Sequence, residues 1–97
     1  MDFTKKYSFE LLKNEAENLV ITEIERQLKS EKYMCRCNDC VVDIAAIALN
    51  SVKPLYRFSL LGTLYASQAM TEQEYGDSIR QAVFQAIEKV KANPSHD

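Results

Sequence analysis

The sequence predicts a mainly α-helical fold, and three observations carry that reading. Two stretches repeat their apolar residues at helical spacing, an almost unbroken apolar run from Val41 to Leu49 lies between them, and stop signals at Asn50 to Pro54 and at Asn93-Pro94 bound the segments. With 97 residues, 46% hydrophobic and 27% charged, the chain suits a single domain spanning 1–97.

In the first stretch Leu12, Ala16, Leu19, Val20, Ile24 and Leu28 recur every three or four residues. Ser8 stands where an N-cap belongs, so residues 9–31 read as one long amphipathic helix. At 1.5 Å per residue it would run roughly 35 Å, more than the width of a compact domain of this size. Such a helix is expected to extend along a partner subunit.

From Val41 to Leu49 the single polar side chain is Asp43. A helix apolar nearly all round is expected to be buried on every side, which makes this the central helix of the fold. Asn38 or Asp39 can cap it, and Asp43 is expected in the first turn, where the helix dipole favours a carboxylate. Asn50 and then Lys53-Pro54 end it, since proline cannot continue a helix and forces an extended residue before it.

Residues 55–66 carry Tyr56, Phe58, Leu60, Leu61, Leu64 and Tyr65 around Gly62. Their near alternation allows a short β-hairpin turning at Gly62, with a helical turn as the other reading. Thr71 and Glu74 have capping-box spacing, and Tyr75, Ile79, Ala82, Val83, Ala86, Ile87 and Val90 form a stripe with a 3.6-residue period. A last helix is therefore expected over about 72–92, stopped by Asn93-Pro94.

The 12 basic and 14 acidic residues give a net charge of −2, which supplies no global attraction for nucleic acid or an anionic membrane. No apolar window approaches the roughly 20 residues that span a bilayer, and no signal-peptide pattern follows Met1. The chain is expected in the cytoplasm, where three clustered cysteines argue for thiolates or a metal rather than a disulfide framework.

Those cysteines are Cys35, Cys37 and Cys40. The C-x-C pair lets two sulfurs converge on one ion, and the C-x-x-C adds a third from a compact turn. Tetrahedral zinc prefers such soft thiolates and takes four donors in a closed site. The fourth would come from His96, from Asp39 or Asp43, from water, or from a second chain. A redox dithiol at Cys37 and Cys40, near a helix N-terminus, is the competing reading. It lacks the strand-rich context of a thioredoxin-like fold.

Together these residues resemble the late competence development protein ComFB family of bacteria. Its members carry a Cys-x-Cys-x-x-Cys segment leading into an Asp-x-x-Ala-x-Ala-Leu-Asn helix and a Pro-x-Tyr turn. Here these are Cys35, Cys37, Cys40, Asp43, Ala46, Ala48, Leu49, Asn50, Pro54 and Tyr56, and the likeness continues through Gly62 to Ala66 and Asn93 to His96. The resemblance implies a mainly helical homodimer, zinc on the cysteine cluster and no catalytic activity. It further implies that some relatives, notably cyanobacterial ones, are receptors for cyclic di-GMP or cyclic di-AMP. Lys53 replaces the first proline of the usual Pro-Pro-x-Tyr form, and Arg57 follows the tyrosine where an apolar residue is usual.

The leading expectation is a non-enzymatic receptor that binds a cyclic dinucleotide and signals to an unidentified downstream protein. Arg36, Lys53, Tyr56, Arg57 and Arg80 are the candidate contacts, arginines gripping phosphates and tyrosine stacking on a base. Tyr33 and Tyr65 are further aromatic candidates, with packing as the plainer account. The alternative is a zinc-stabilised dimeric adaptor linked to competence or motility, with no nucleotide ligand.

Overall fold

A computed structural model describes residues 2–32, 34–57 and 72–94. Its main elements are helices α1 (Phe3–Lys6), α2 (Ala16–Leu28), α3 (Asn38–Leu49) and α4 (Glu72–Ala92), with a short 3-10 helix at Phe9–Leu11. Strands β1 (Lys13–Asn14) and β2 (Tyr56–Arg57) pair antiparallel, Lys13 opposite Arg57 and Asn14 opposite Tyr56. Among the described residues no helix is long and apolar enough to cross a membrane.

The core is three helical rows meeting in one cluster. On α2 the buried residues are Ala16, Val20, Ile24 and Leu28, spaced by four. On α3 they are Cys40, Ile44 and Ala48, at the same spacing. Every residue expected in the α4 stripe, from Tyr75 to Val90, is buried. Rows spaced by four form the ridges that interdigitate between packed helices, and α3 packs against both α2 and α4. Ile44, Val20 and Val83 are the largest of the wholly buried side chains at the centre.

The first helix corrects the sequence reading. The expected helix over 9–31 breaks before Ala16, and what remains is 13 residues, about 20 Å at 1.5 Å per residue. The break is made by Asn14. Its Oδ1 accepts the Ala16 amide at 3.2 Å and the Leu55 amide at 2.8 Å, so the chain arrives at α2 as a strand tied to β2. Ser8 supplies no side-chain cap. Leu12 and Leu19 fit the helical period but are about half exposed. The argument for a partner subunit from helix length therefore falls away.

Helix α3 departs from expectation in two ways. Its N-cap is Cys37, so Asp43 falls in the second turn and Asp39 takes the first. It is also not buried all round, since Val42 is 57% exposed and Ala46 lies on the same open side. Its C-terminus is as expected: the backbone and side-chain amides of Asn50 both donate to the Ala46 carbonyl.

Helix α4 keeps its expected bounds, and the Asn93 amide closes its last turn on the Lys89 carbonyl. Tyr56 and Arg57 are extended, but the described partner of that strand is Lys13–Asn14. The remainder of the expected hairpin, with Gly62 and Tyr65, lies outside the described residues, as do Tyr33, Thr71 and His96.

Candidate functional site

The α2–α3 connection carries the cysteines, and its path is fixed at both ends. Arg36 is its clamp: Nη2 donates to the Leu28 carbonyl at 2.5 Å and also to the Glu31 carbonyl. These are carbonyls at and just beyond the end of α2, which a helix leaves without internal donors. A guanidinium there also complements the negative end of the helix dipole. At the other end Cys37 is extended, with φ −70° and ψ 163°, and its Sγ accepts the Cys40 amide at 3.4 Å. Met34 is buried against the core and seats the loop.

This path gathers the three sulfurs. The Sγ atoms of Cys35, Cys37 and Cys40 all lie within 4.8 Å of one another, as thiols rather than as a disulfide. Zn–S bonds of about 2.3 Å in a tetrahedron put sulfurs about 3.8 Å apart, so a contraction of an ångström or less would bring the set onto one ion. Cys40 is buried, Cys37 half-buried and Cys35 exposed. The cluster thus runs from core to solvent, which gives an ion its entry path. It also sits at the N-terminus of α3, where the dipole favours anionic ligands. The donor set therefore fits a thiophilic metal. Among the described residues neither Asp39 nor Asp43 joins the three thiols.

The candidate ligand contacts are dispersed. Arg36 holds the end of α2, and Arg80 pairs with Asp77 on α4. Lys53 and Tyr56 lie together on the turn after α3, both exposed, Tyr56 at 50%. Their backbone is pinned on three sides. The Tyr75 hydroxyl donates to the Lys53 carbonyl at 2.5 Å, Asn14 accepts the Leu55 amide, and β1 pairs with Tyr56. Burial pushes the Tyr75 phenol above its ordinary pKa, keeping it a donor. Arg57 pairs with Lys13 through its strand position, and its side chain lies outside the described residues.

Sequence reasoning missed a second feature, a groove of about 630 Å³ between α2 and α4. Arg26, Gln27, Arg80 and Phe84 line it, together with carboxylates at Glu31, Asp77 and Glu88. Glu23 grips Arg26 through two oxygens, at 3.0 Å to Nε and 2.5 Å to Nη2, and accepts from Gln27 at 2.7 Å. The hydrogen bond from Arg26 holds the Glu23 carboxyl below its ordinary pKa, against the opposing effect of burial. Phe84 was the available signal: an aromatic outside the α4 stripe and 55% exposed.

A family model described as late competence development protein ComFB matches residues 13–94. The solved structure of the late competence protein ComFB from Bacillus subtilis superposes with a TM-score of 0.66 at 21% identity, covering 87% of this chain and 92% of that one. The likeness establishes a shared fold. No curated protein matches the chain.

Proposed function

The chain belongs to the late competence development protein ComFB family, and from that premise we propose that it is a non-enzymatic regulatory receptor of the cytoplasm. Zinc on Cys35, Cys37 and Cys40 fixes the start of α3. A cyclic dinucleotide, cyclic di-GMP or cyclic di-AMP, is recognised at the Lys53–Tyr56 turn, and its occupancy is read by a downstream protein. Zinc has no redox chemistry of its own, and what it supplies is a covalent-strength cross-link between the loop and the helix.

For the metal, the supporting observation is the convergence of three sulfurs. The ligand reading is supported by the presentation of Tyr56. An aromatic ring left half exposed on a backbone pinned from three sides is a preformed stacking surface, and little entropy is lost when a base lies on it. Lys53 beside it supplies a cation for a phosphodiester.

The test is isothermal titration of zinc-loaded protein with cyclic di-GMP and cyclic di-AMP, with linear dinucleotide and GTP as controls. Saturable binding that Tyr56→Ala weakens by about 1–3 kcal/mol, the worth of one stacked base, supports the receptor. Absence of heat and of competition sinks it in favour of the adaptor. That second reading has its own support in the apolar side chains left on the surface of three helices, Ile21, Val42 and Phe84.

A further inference from the structure

The three thiols differ in depth although they lie close together. Cys35 is exposed, Cys37 half-buried and Cys40 wholly buried, with their sulfurs all within 4.8 Å of one another. Exposure governs which sulfur a small oxidant meets first. That sulfur is Cys35. The next in depth is Cys37, the N-cap of α3, whose Sγ accepts the Cys40 amide at 3.4 Å. Cys40 instead belongs to the core row with Ile44 and Ala48, where solvent does not reach it.

The contacts that fix this segment are not made by sulfur. Arg36, between the two outer cysteines, donates to the Leu28 and Glu31 carbonyls, and the Met34 side chain just before them is buried in the core. The path of the Cys35–Cys37 segment thus rests on groups that oxidation of a thiol leaves untouched. A disulfide brings its sulfurs to about 2.05 Å, an approach of under about 3 Å that rotation about χ1 of two side chains supplies.

We propose that Cys35 and Cys37 form a reversible oxidation site for hydroperoxides, with Cys35 the attacking sulfur and Cys37 the resolving one. Cys35 attacks an oxygen of ROOH, the O–O bond breaks and ROH leaves, so that Cys35 becomes a sulfenic acid. The Cys37 sulfur then displaces the hydroxyl, which departs as water, and the S–S bond forms. Together the two thiols give up two electrons and two protons, and the peroxide is reduced to an alcohol and water. Two external thiols reverse the step and leave as their own disulfide. A surface ring closed over the single residue Arg36 belongs to the strained, exposed class of disulfides that thiols reduce readily, and in a reducing compartment such a bond is transient. Its formation takes two of the three sulfur donors, so an ion on the cluster is released. That release rests on the zinc reading above; the oxidation does not, because it uses the sulfurs alone. Cys40 stays a thiol in the core, which separates this site from a thioredoxin-like C-x-x-C dithiol.

Hydrogen peroxide added to the full chain, zinc-loaded and in parallel stripped by a chelator, should convert it to a form lighter by two hydrogens that dithiothreitol restores. Peptide mapping should place the bond between Cys35 and Cys37 and find Cys40 as a thiol that alkylates after denaturation. Cys37→Ser should arrest the reaction at a sulfenic acid that dimedone traps at Cys35, and serine at that position still caps α3. Cys35→Ser should slow peroxide consumption about tenfold or more, with helix content by circular dichroism unchanged because Cys35 is exposed. In the loaded protein a metal-sensitive dye should record zinc leaving in step with the disulfide. A chain that takes up no zinc refutes the metal reading, and the disulfide map of the stripped protein still decides the oxidation site. A bond that includes Cys40 or joins two chains, a Cys35→Ser variant oxidised as fast as the parent, or zinc that stays bound as the disulfide forms would overturn the proposal.

Discussion

Replacing Asn14 by alanine removes one oxygen that serves two elements. That Oδ1 accepts the Ala16 amide at the head of α2 and the Leu55 amide in the turn before Tyr56, at 3.2 and 2.8 Å, both partly buried. Losing a side-chain acceptor at a helix start costs about 1 kcal/mol, and leaving a partly buried amide without a partner costs about 1–3 kcal/mol more. The expected loss is thus about 2–4 kcal/mol, or roughly 10–30 °C in melting temperature for a domain of this size. Urea and thermal unfolding followed at 222 nm measure it. Asn14→Asp keeps the acceptor and should recover most of the loss. An Asn14→Ala change below about 0.5 kcal/mol, the range of ordinary surface substitutions, or an Asp variant as unstable as the Ala variant, would refute the claim that this side chain ends the N-terminal strand and starts α2.

Two further outcomes follow from the site and its neighbours. Cys35→Ser and Cys37→Ser should lower zinc stoichiometry and abolish the stabilisation that zinc gives in thermal melts, whereas Cys40→Ser should also destabilise the metal-free protein, because that sulfur is wholly buried; equal zinc content in all three variants would exclude the cluster as the metal site. Glu23 is held below the ordinary carboxylate value of 4.5 by Arg26. Its contribution to stability is therefore present above that pH and lost as pH falls through the lowered folded value, so Glu23→Gln should flatten the acid limb of the stability curve below about pH 4.5. An acid limb identical to that of the parent would show that the pair contributes nothing.

Helix α4 was legible because its local signals agree: one apolar stripe runs without contradiction from Tyr75 to Val90, and Asn93-Pro94 stops it. The cysteine cluster was legible for the same reason, since its geometry depends on residues within six positions of one another. The N-terminal half misled because Leu12 lies four residues before Ala16 and so extends the helical period through Asn14. What breaks the helix is a bond to Leu55, which is distant in sequence and invisible to periodicity. The apolar run of α3 was read as burial on all sides, yet the wholly covered row is Cys40, Ile44 and Ala48, with Val41, Ala45, Ile47 and Leu49 partly covered and Val42 open. Periodicity shows how apolar a face is, not which molecule covers it. The groove escaped notice because its walls come from α2 and α4, which periodicity within one helix does not bring together; Phe84, outside the stripe, was its one mark in the sequence.

The placement of Arg36 bears on how mutational maps of this family member are to be read. Two of the three clustered thiols flank a guanidinium that holds the end of the preceding helix, so the candidate metal site and the helix frame meet at a single residue. The Cys35–Cys37 segment is thereby tied to the Leu28 carbonyl through Arg36. An effect of substituting Arg36 on ligand or metal binding is therefore to be read together with amide exchange in the last turn of α2, which separates recognition from architecture. Lys53 and Tyr56, whose side chains reach solvent from a backbone secured by other residues, carry no such ambiguity.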